Sequence, residues 1–101
     1  TIIGAESARL KESNRLAAMV NELSILGANI RETDDGLIIK QSCLRGGNVN
    51  SHCDHRVVMS LAVAALNAKD NVLINDVDCI DKSYPSFVKD MVGLGAEIRY
   101  I

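Results

Sequence analysis

No apolar run in this sequence reaches the roughly 18 residues needed to cross a bilayer, and the start shows no signal-peptide pattern. Charge of one sign is also missing as a bias. The formal net charge is −2 with both signs interspersed, so no basic field suggests a nucleic-acid partner. Cysteine is sparse: Cys43, Cys53 and Cys79 are three in number, widely spaced and without a CxxC pair. That argues against a disulfide framework and for a reducing, cytoplasmic setting. Each of the three reads as small buried apolar filler. An initiator methionine is absent too. The chain opens "TIIGAES", already strand-like, as expected of a cut through a larger protein.

What is present is enough for one small domain: 101 residues, 48% of them hydrophobic, with a core of modest margin. From Ser13 the pattern is helical. Leu16, Met19, Val20, Leu23 and Leu26 recur on one face, and Gly27 stops the run. "ANIRET" and "LIIKQ" flank a "DDG" turn and predict a hairpin over residues 28 to 41. "SCLRGGNVNSHC" reads as a loop with a short strand at its end. Residues 54 to 68 are apolar on most faces, as in a buried helix. "NVLINDV" is a strand, Ser83 to Leu94 a third helix, and "AEIRYI" a closing strand. The fold class is therefore α/β, in the order helix, strand, strand, helix, strand, helix, strand.

An internal repeat runs through this order. "VNELSILGANIR" (20 to 31) aligns without a gap on "VKDMVGLGAEIR" (88 to 99). Both are an amphipathic helix that ends at Leu-Gly-Ala and turns straight into a strand. Repeated units complete their cores against neighbours, and about one and a half units are present here.

The three helices start alike. "LKESNRL" places Lys11 before a Ser13 cap and Arg15 in the first turn. "CDHRVV" places Arg56 just after an Asp54 cap. "DKSYPSF" places Lys82 before a Ser83 cap, with Pro85 in the first turn, where its missing N–H costs nothing. Cations are disfavoured at helix N-termini by roughly 0.3–1 kcal/mol each. One means little, but one at every helix asks for a compensating anion. Free N–H groups, the helix dipole and an arginine fork suit a phosphate or carboxylate. Solvated charges at exposed helix ends account for the composition equally well. The repeat favours the anion site, because equivalent helices point their ends the same way. Glu12, among these cations, either exchanges a proton with a bound substrate or merely decorates a helix start.

"NSHCDHRVVM" (50 to 59) gathers His52, Cys53, Asp54, His55 and Arg56. A zinc half-site is disfavoured, since a helix beginning at Asp54 leaves His52 in the loop and no second ligand pair has metal spacing. A Cys53–His55 nucleophilic pair is weaker still, because near neighbours in sequence rarely face one another. The anion-binding helix start is the best of the three.

"RLKESNRLAAMVNELSILGANI", "DHRVVMSLAVAAL" and "DKSYPSF", in that order, resemble the C-terminal part of the 3-phosphoshikimate 1-carboxyvinyltransferase (EPSP synthase) family. The resemblance runs from near Arg9 to the end. It implies part of an enolpyruvyl-transferase domain built from repeated βαβαββ units, an inside-out α/β barrel. By the same resemblance, residues 1 to 101 are a C-terminal fragment of one such domain, about the last quarter of the enzyme. The activity implied is transfer of the enolpyruvyl group of phosphoenolpyruvate to shikimate 3-phosphate with release of phosphate. This step belongs to the shikimate pathway of aromatic amino-acid biosynthesis; it passes through a tetrahedral intermediate and uses no metal or organic cofactor. The resemblance makes Glu12 the acid that protonates the methylene carbon and Lys11 a shikimate 3-phosphate ligand. Arg15, Arg56 and Lys82 would hold phosphoenolpyruvate, with His55 in support. The related UDP-N-acetylglucosamine enolpyruvyl transferase has Asp-Leu-Arg where this chain has Asp-His-Arg, which favours the shikimate acceptor. A non-catalytic α/β interaction module is the alternative from another class. Asn14 replaces an aspartate usual in the family, and His52-Cys53 replace Tyr/Phe-Gly, so the loop before Asp54 is expected to sit differently. The family's catalytic aspartate and its other domain lie upstream of Thr1, so the chain alone is expected to be inactive.

Overall fold

The computed structural model describes residues 1–11, 13–82 and 84–100, with Lys82 through its backbone alone. Helix α1 (Arg15–Ile25) starts later than Ser13, and its cap is Asn14, whose side chain accepts from the Ala17 N–H at 3.2 Å. Ser13 is not the cap because its hydroxyl donates to Asp54 instead, at 2.7 Å. Asparagine caps as well as serine does. The apolar stripe of α1 serves two cores. Leu16 packs with Ile30 and Leu37, and Ala18 and Leu26 pack with Val49, Val57 and Leu61.

The repeated Leu-Gly-Ala has one physical meaning in both copies. After α1, Gly27 takes φ +90°, its N–H bonds Ser24 O at 3.0 Å, and the Ala28 N–H bonds Leu23 O at 3.0 Å. After helix α3 (Phe87–Gly93), Gly95 takes φ +106° and its N–H bonds Val92 O at 3.0 Å; the Ala96 N–H bonds Met91 O at 3.0 Å. This is the Schellman closure, which satisfies two otherwise orphaned carbonyls and needs a left-handed residue at the glycine. The copies then diverge. The first enters strand β1 (Asn29–Glu32), which pairs antiparallel with β2 (Leu37–Lys40), Ile30 opposite Ile39. The second forms no strand over 96–100, contrary to the expectation for "AEIRYI". A strand needs a partner for its backbone groups. β1 has β2, whereas among the described residues no strand lies beside 96–100.

The opening segment is less strand-like than its composition suggests. Ile2 makes a single bridge to Leu37, then Glu6–Leu10 winds as a 3-10 helix. The bridge passes so close to Gly36 that a Cβ there would overlap the Ile2 carbonyl. Arg9 locks the hairpin turn, donating to Glu32 Oε2 at 2.8 Å, Thr33 O at 2.6 Å and Asp34 O at 3.3 Å.

The second half is a parallel crossover. Strand β3 (Gly47–Asn50) leads through helix α2 (His55–Ala65) to β4 (Val72–Asn75), with Val49 beside Ile74 in parallel register. Parallel neighbours require such a crossover. α2 is buried on two faces, Val57 and Leu61 against α1 and β3, Val58 and Ala62 against Ile80 and Phe87. The chain then forms a 3-10 helix over Val77–Lys82. α3 begins at Phe87 rather than at Ser83, with Ser86 in the cap position and no side-chain cap bond. Pro85 explains the delay, since the residue before a proline is pushed out of the helical region. The expected cap Ser83 lies outside the described residues.

Candidate functional site: two helix starts joined at Asp54

Asp54 is 0% exposed and ties the beginnings of α1 and α2 together. Its Oδ1 accepts from the Arg56 N–H at 3.0 Å, which caps α2. Its Oδ2 accepts from Ser13 Oγ at 2.7 Å and Arg15 Nε at 2.8 Å, and Arg15 Nη2 reaches Oδ1 at 3.3 Å. Arg15 lies 39 residues away in sequence. Burial pushes the Asp54 carboxyl up, but the Arg15 and Ser13 hydrogen bonds, the Arg56 N–H and the Arg15 charge outweigh it. The group is held below its ordinary value of 3.8. A buried carboxylate that stays charged this way is a fixed anchor.

The cations therefore divide. Arg15 is engaged with Asp54. The Arg56 side chain is exposed, and no side-chain partner holds it among the described residues. Arg56 and His55 line an open depression of about 420 Å³ together with Met59, Ser60 and Tyr84. Tyr84 follows the 3-10 helix that ends at Lys82 and sets its ring edge-on to Phe87, 5.6 Å between centroids. Its hydroxyl donates to Asp90 Oδ2 at 2.7 Å, which, with the Asp90 charge, raises the Tyr84 pKa above its ordinary value. Lys11 is exposed at the end of the 3-10 helix Glu6–Leu10, two residues before Ser13. Glu12, the expected acid, lies outside the described residues, as does the side chain of Lys82.

Sequence reasoning missed two residues here. Tyr84 joins the depression, a placement that follows only from packing of the Val77–Lys82 segment on α2. Glu22 is 6% exposed although charged. Its Oε1 accepts the Asn50 N–H at 2.8 Å, and its Oε2 lies 2.8 Å from His52 Nε2. A signal existed, because Glu22 falls three residues after Met19 and four before Leu26, within the apolar stripe. His52 thus turns to α1 while His55 faces the depression. Among the described residues, no group of three or more His, Cys, Asp or Glu could hold a metal ion.

The loop before Asp54 turns through left-handed backbone. His52 and Cys53 both have φ 54°, a left-handed conformation that costs a non-glycine residue on the order of 1–2 kcal/mol. Glycine would adopt it freely. All three cysteines are free thiols: Cys79 packs half-buried against the core of Val58, Ile80 and Phe87 in keeping with the filler reading, whereas Cys43 and Cys53 are exposed and are not buried filler. No helix among the described residues is long and apolar enough to cross a membrane.

A parallel β3–α2–β4 crossover packed against α1, with the β1–β2 hairpin on the other side of α1, defines a small α/β domain. The family model for EPSP synthase (3-phosphoshikimate 1-carboxyvinyltransferase) matches residues 1–91, and the chain belongs to that family. It is 50% identical over 99 residues to the 3-phosphoshikimate 1-carboxyvinyltransferase of Clostridium perfringens, a match covering 97% of this chain and 23% of the relative. Against the protein of that name from Desulforudis audaxviator it is 52% identical over 94 residues, 92% of this chain and 22% of the relative. An EPSP synthase structure from Acinetobacter baumannii superposes with a TM-score of 0.84 at 27% identity, covering 97% of this chain and 24% of that one. A second structure from that organism gives 0.81 at 33% identity, over 86% and 21%. The chain thus spans about 23% of the length of the curated relatives it matches. It is a small α/β domain matching part of EPSP synthase.

Proposed function

We propose that this chain supplies part of the phosphoenolpyruvate site of an EPSP synthase, which transfers the enolpyruvyl group to shikimate 3-phosphate in the cytoplasm. The observation that carries the reading is the exposed Arg56 guanidinium at the start of α2, without a side-chain partner among the described residues. Arg15 is braced on Asp54, the residue that caps the same helix. Phosphoenolpyruvate carries a carboxylate and a phosphate. A guanidinium fork and the free N–H groups of a helix start complement both. Arg56 and Lys82 bind these groups, Arg15 adds a fixed positive charge and His55 supports the ligand from the same depression. Lys11 meets shikimate 3-phosphate. Glu12 delivers the proton to the methylene carbon, and the surrounding cations stabilise charge as the phosphate departs. No metal or organic cofactor enters this reading.

The chain on this reading is a C-terminal piece holding about one and a half βαβαββ units of an inside-out α/β barrel. The remaining units and the other domain complete the cleft and provide the missing catalytic aspartate. The test is an amide-resolved NMR titration of the chain with phosphoenolpyruvate, with sulfate as the control anion. Saturable shifts at residues 11–15, 54–56 and 82–84 are expected, stronger for phosphoenolpyruvate than for sulfate. Arg56→Ala should weaken binding roughly 10- to 100-fold, the equivalent of a charged hydrogen bond, with an unchanged melting temperature. Unfolding of Arg56→Ala, or affinity equal to wild type, would remove Arg56 from the site.

A further inference from the structure

We propose that Glu22 and His52 form a positioning pair that holds the left-handed turn before Asp54 and thereby aims Arg56. The inference rests on the reading of Arg56 as a ligand for phosphoenolpyruvate. It begins with an anomaly of burial. A carboxylate placed in the apolar stripe of α1 is unfavourable unless its oxygens are hydrogen-bonded. Both oxygens of Glu22 are engaged, and both partners lie on one loop. Oε1 takes the Asn50 N–H and Oε2 meets the His52 ring, each at 2.8 Å. Glu22 therefore grips the loop on either side of Ser51.

The loop needs a grip. It carries the chain from the end of β3 at Asn50 to the Asp54 cap of α2, and it turns through two successive non-glycine residues at φ 54°. Ser51, 0% exposed, fixes the floor: its hydroxyl donates to Asp76 O at 2.6 Å and accepts the Cys53 N–H at 3.0 Å. The Asn50 side chain accepts the His52 N–H at 2.8 Å. These local bonds favour the turn but leave its position against α1 open. Two sets of contacts fix that position, Ser13 and Arg15 on Asp54 at one end and Glu22 on Asn50 and His52 at the other. Arg15 reaches Asp54 from the first turn of α1, and Glu22 reaches His52 two turns further along the same helix. A loop fixed at both points presents Asp54, and with it the Arg56 N–H and side chain, in one orientation. In this chain His52 thus does more than fill a turn position, because its ring restrains a backbone that glycine would adopt without help.

The experiment compares wild type, His52→Ala and His52→Gln, each 15N-labelled. Amide hydrogen exchange is read at Cys53 and Arg56, alongside phosphoenolpyruvate titration and thermal melting. In His52→Ala, exchange at these two amides should rise and phosphoenolpyruvate affinity should fall, each by roughly fivefold, the effect of one lost hydrogen bond. The melting temperature should fall by roughly 4–8 °C, the thermal equivalent of that fivefold loss in a domain of this size. His52→Gln keeps an N–H donor within reach of Glu22 and should restore most of both. Unchanged exchange at Cys53 and Arg56 in His52→Ala would overturn the proposal. So would equal losses in the alanine and glutamine variants, or a rise in exchange spread uniformly across the chain instead of concentrated at Cys53 and Arg56, which marks a merely structural residue. A wild-type chain that binds no phosphoenolpyruvate would sink the functional reading, while the exchange comparison would still decide this one.

Discussion

Replacing Asp54 separates two contributions that coincide in one side chain. Asp54 caps α2 through the Arg56 N–H, and it also neutralises Arg15 while fully buried. As caps, aspartate and asparagine are nearly equivalent, and losing the cap to alanine costs about 0.5–2 kcal/mol. Breaking a buried ion pair costs about 3–5 kcal/mol. Arg15 is 16% exposed and regains some hydration when Asp54 is removed, so the lower end of that range applies. Asp54→Ala should therefore lose about 3 kcal/mol, a large share of the roughly 5–15 kcal/mol available to a domain. Asp54→Asn decides between the two contributions. Its amide still accepts the Arg56 N–H, but an N–H₂ now replaces one of the oxygens that served Arg15. If the ion pair dominates, Asp54→Asn should cost about 2 kcal/mol or more, lowering the melting temperature by roughly 4–8 °C per kcal/mol. Urea unfolding followed by far-UV circular dichroism gives both values. An Asp54→Asn variant within about 0.5 kcal/mol of wild type would show that the cap alone matters and would refute the account of Asp54 as the joint between two helices.

Acid should act on the same group. The Asp54 carboxyl is held below its ordinary value of 3.8 in the folded chain, so the unfolded chain takes up its proton first as pH falls. The stabilisation is complete above the unfolded-state value and is lost as pH drops through the folded one; urea midpoints measured between neutral pH and strong acid should therefore fall less steeply for Asp54→Asn than for wild type. Gly27→Ala should cost about 1–2 kcal/mol, since φ is +90° there and alanine resists the left-handed region; a thermal melt matching wild type would contradict the Schellman assignment. Leu61→Ala, at a site of 0% exposure between α2 and α1, should cost about 2–5 kcal/mol in the same assay, and a smaller loss would mean that the crossover helix is not the centre of the core.

Much of this was legible in residue order because it is local. The α1 stripe, the Gly27 and Gly95 closures and the Asp54 cap depend on neighbours within a turn or two, and each is where the periodicity and the repeat put it. The hairpin also reads from its "DDG" turn. Reading failed where a local preference met a distant competitor. Ser13 is as good a cap as Asn14, but Asp54 claims its hydroxyl from 41 residues away. "AEIRYI" has the composition of a strand yet lies beside no strand among the described residues. Of the cations, the sequence put each near an expected helix start; the structure keeps Arg15 and Arg56 in the first turns of α1 and α2, whereas Lys82 ends the 3-10 helix Val77–Lys82, five residues before α3 begins. The sequence could not show that Arg15 would meet a protein carboxylate while Arg56 stays exposed, because both have the same local surroundings. Nor could it show that Glu22 would meet His52, since a carboxylate in an apolar stripe announces burial without naming its partner. Sequence determines what a short segment prefers. Which of two equivalent charges is neutralised depends on the long-range packing of α1 against the β3–α2 loop, and that exists only in the folded chain.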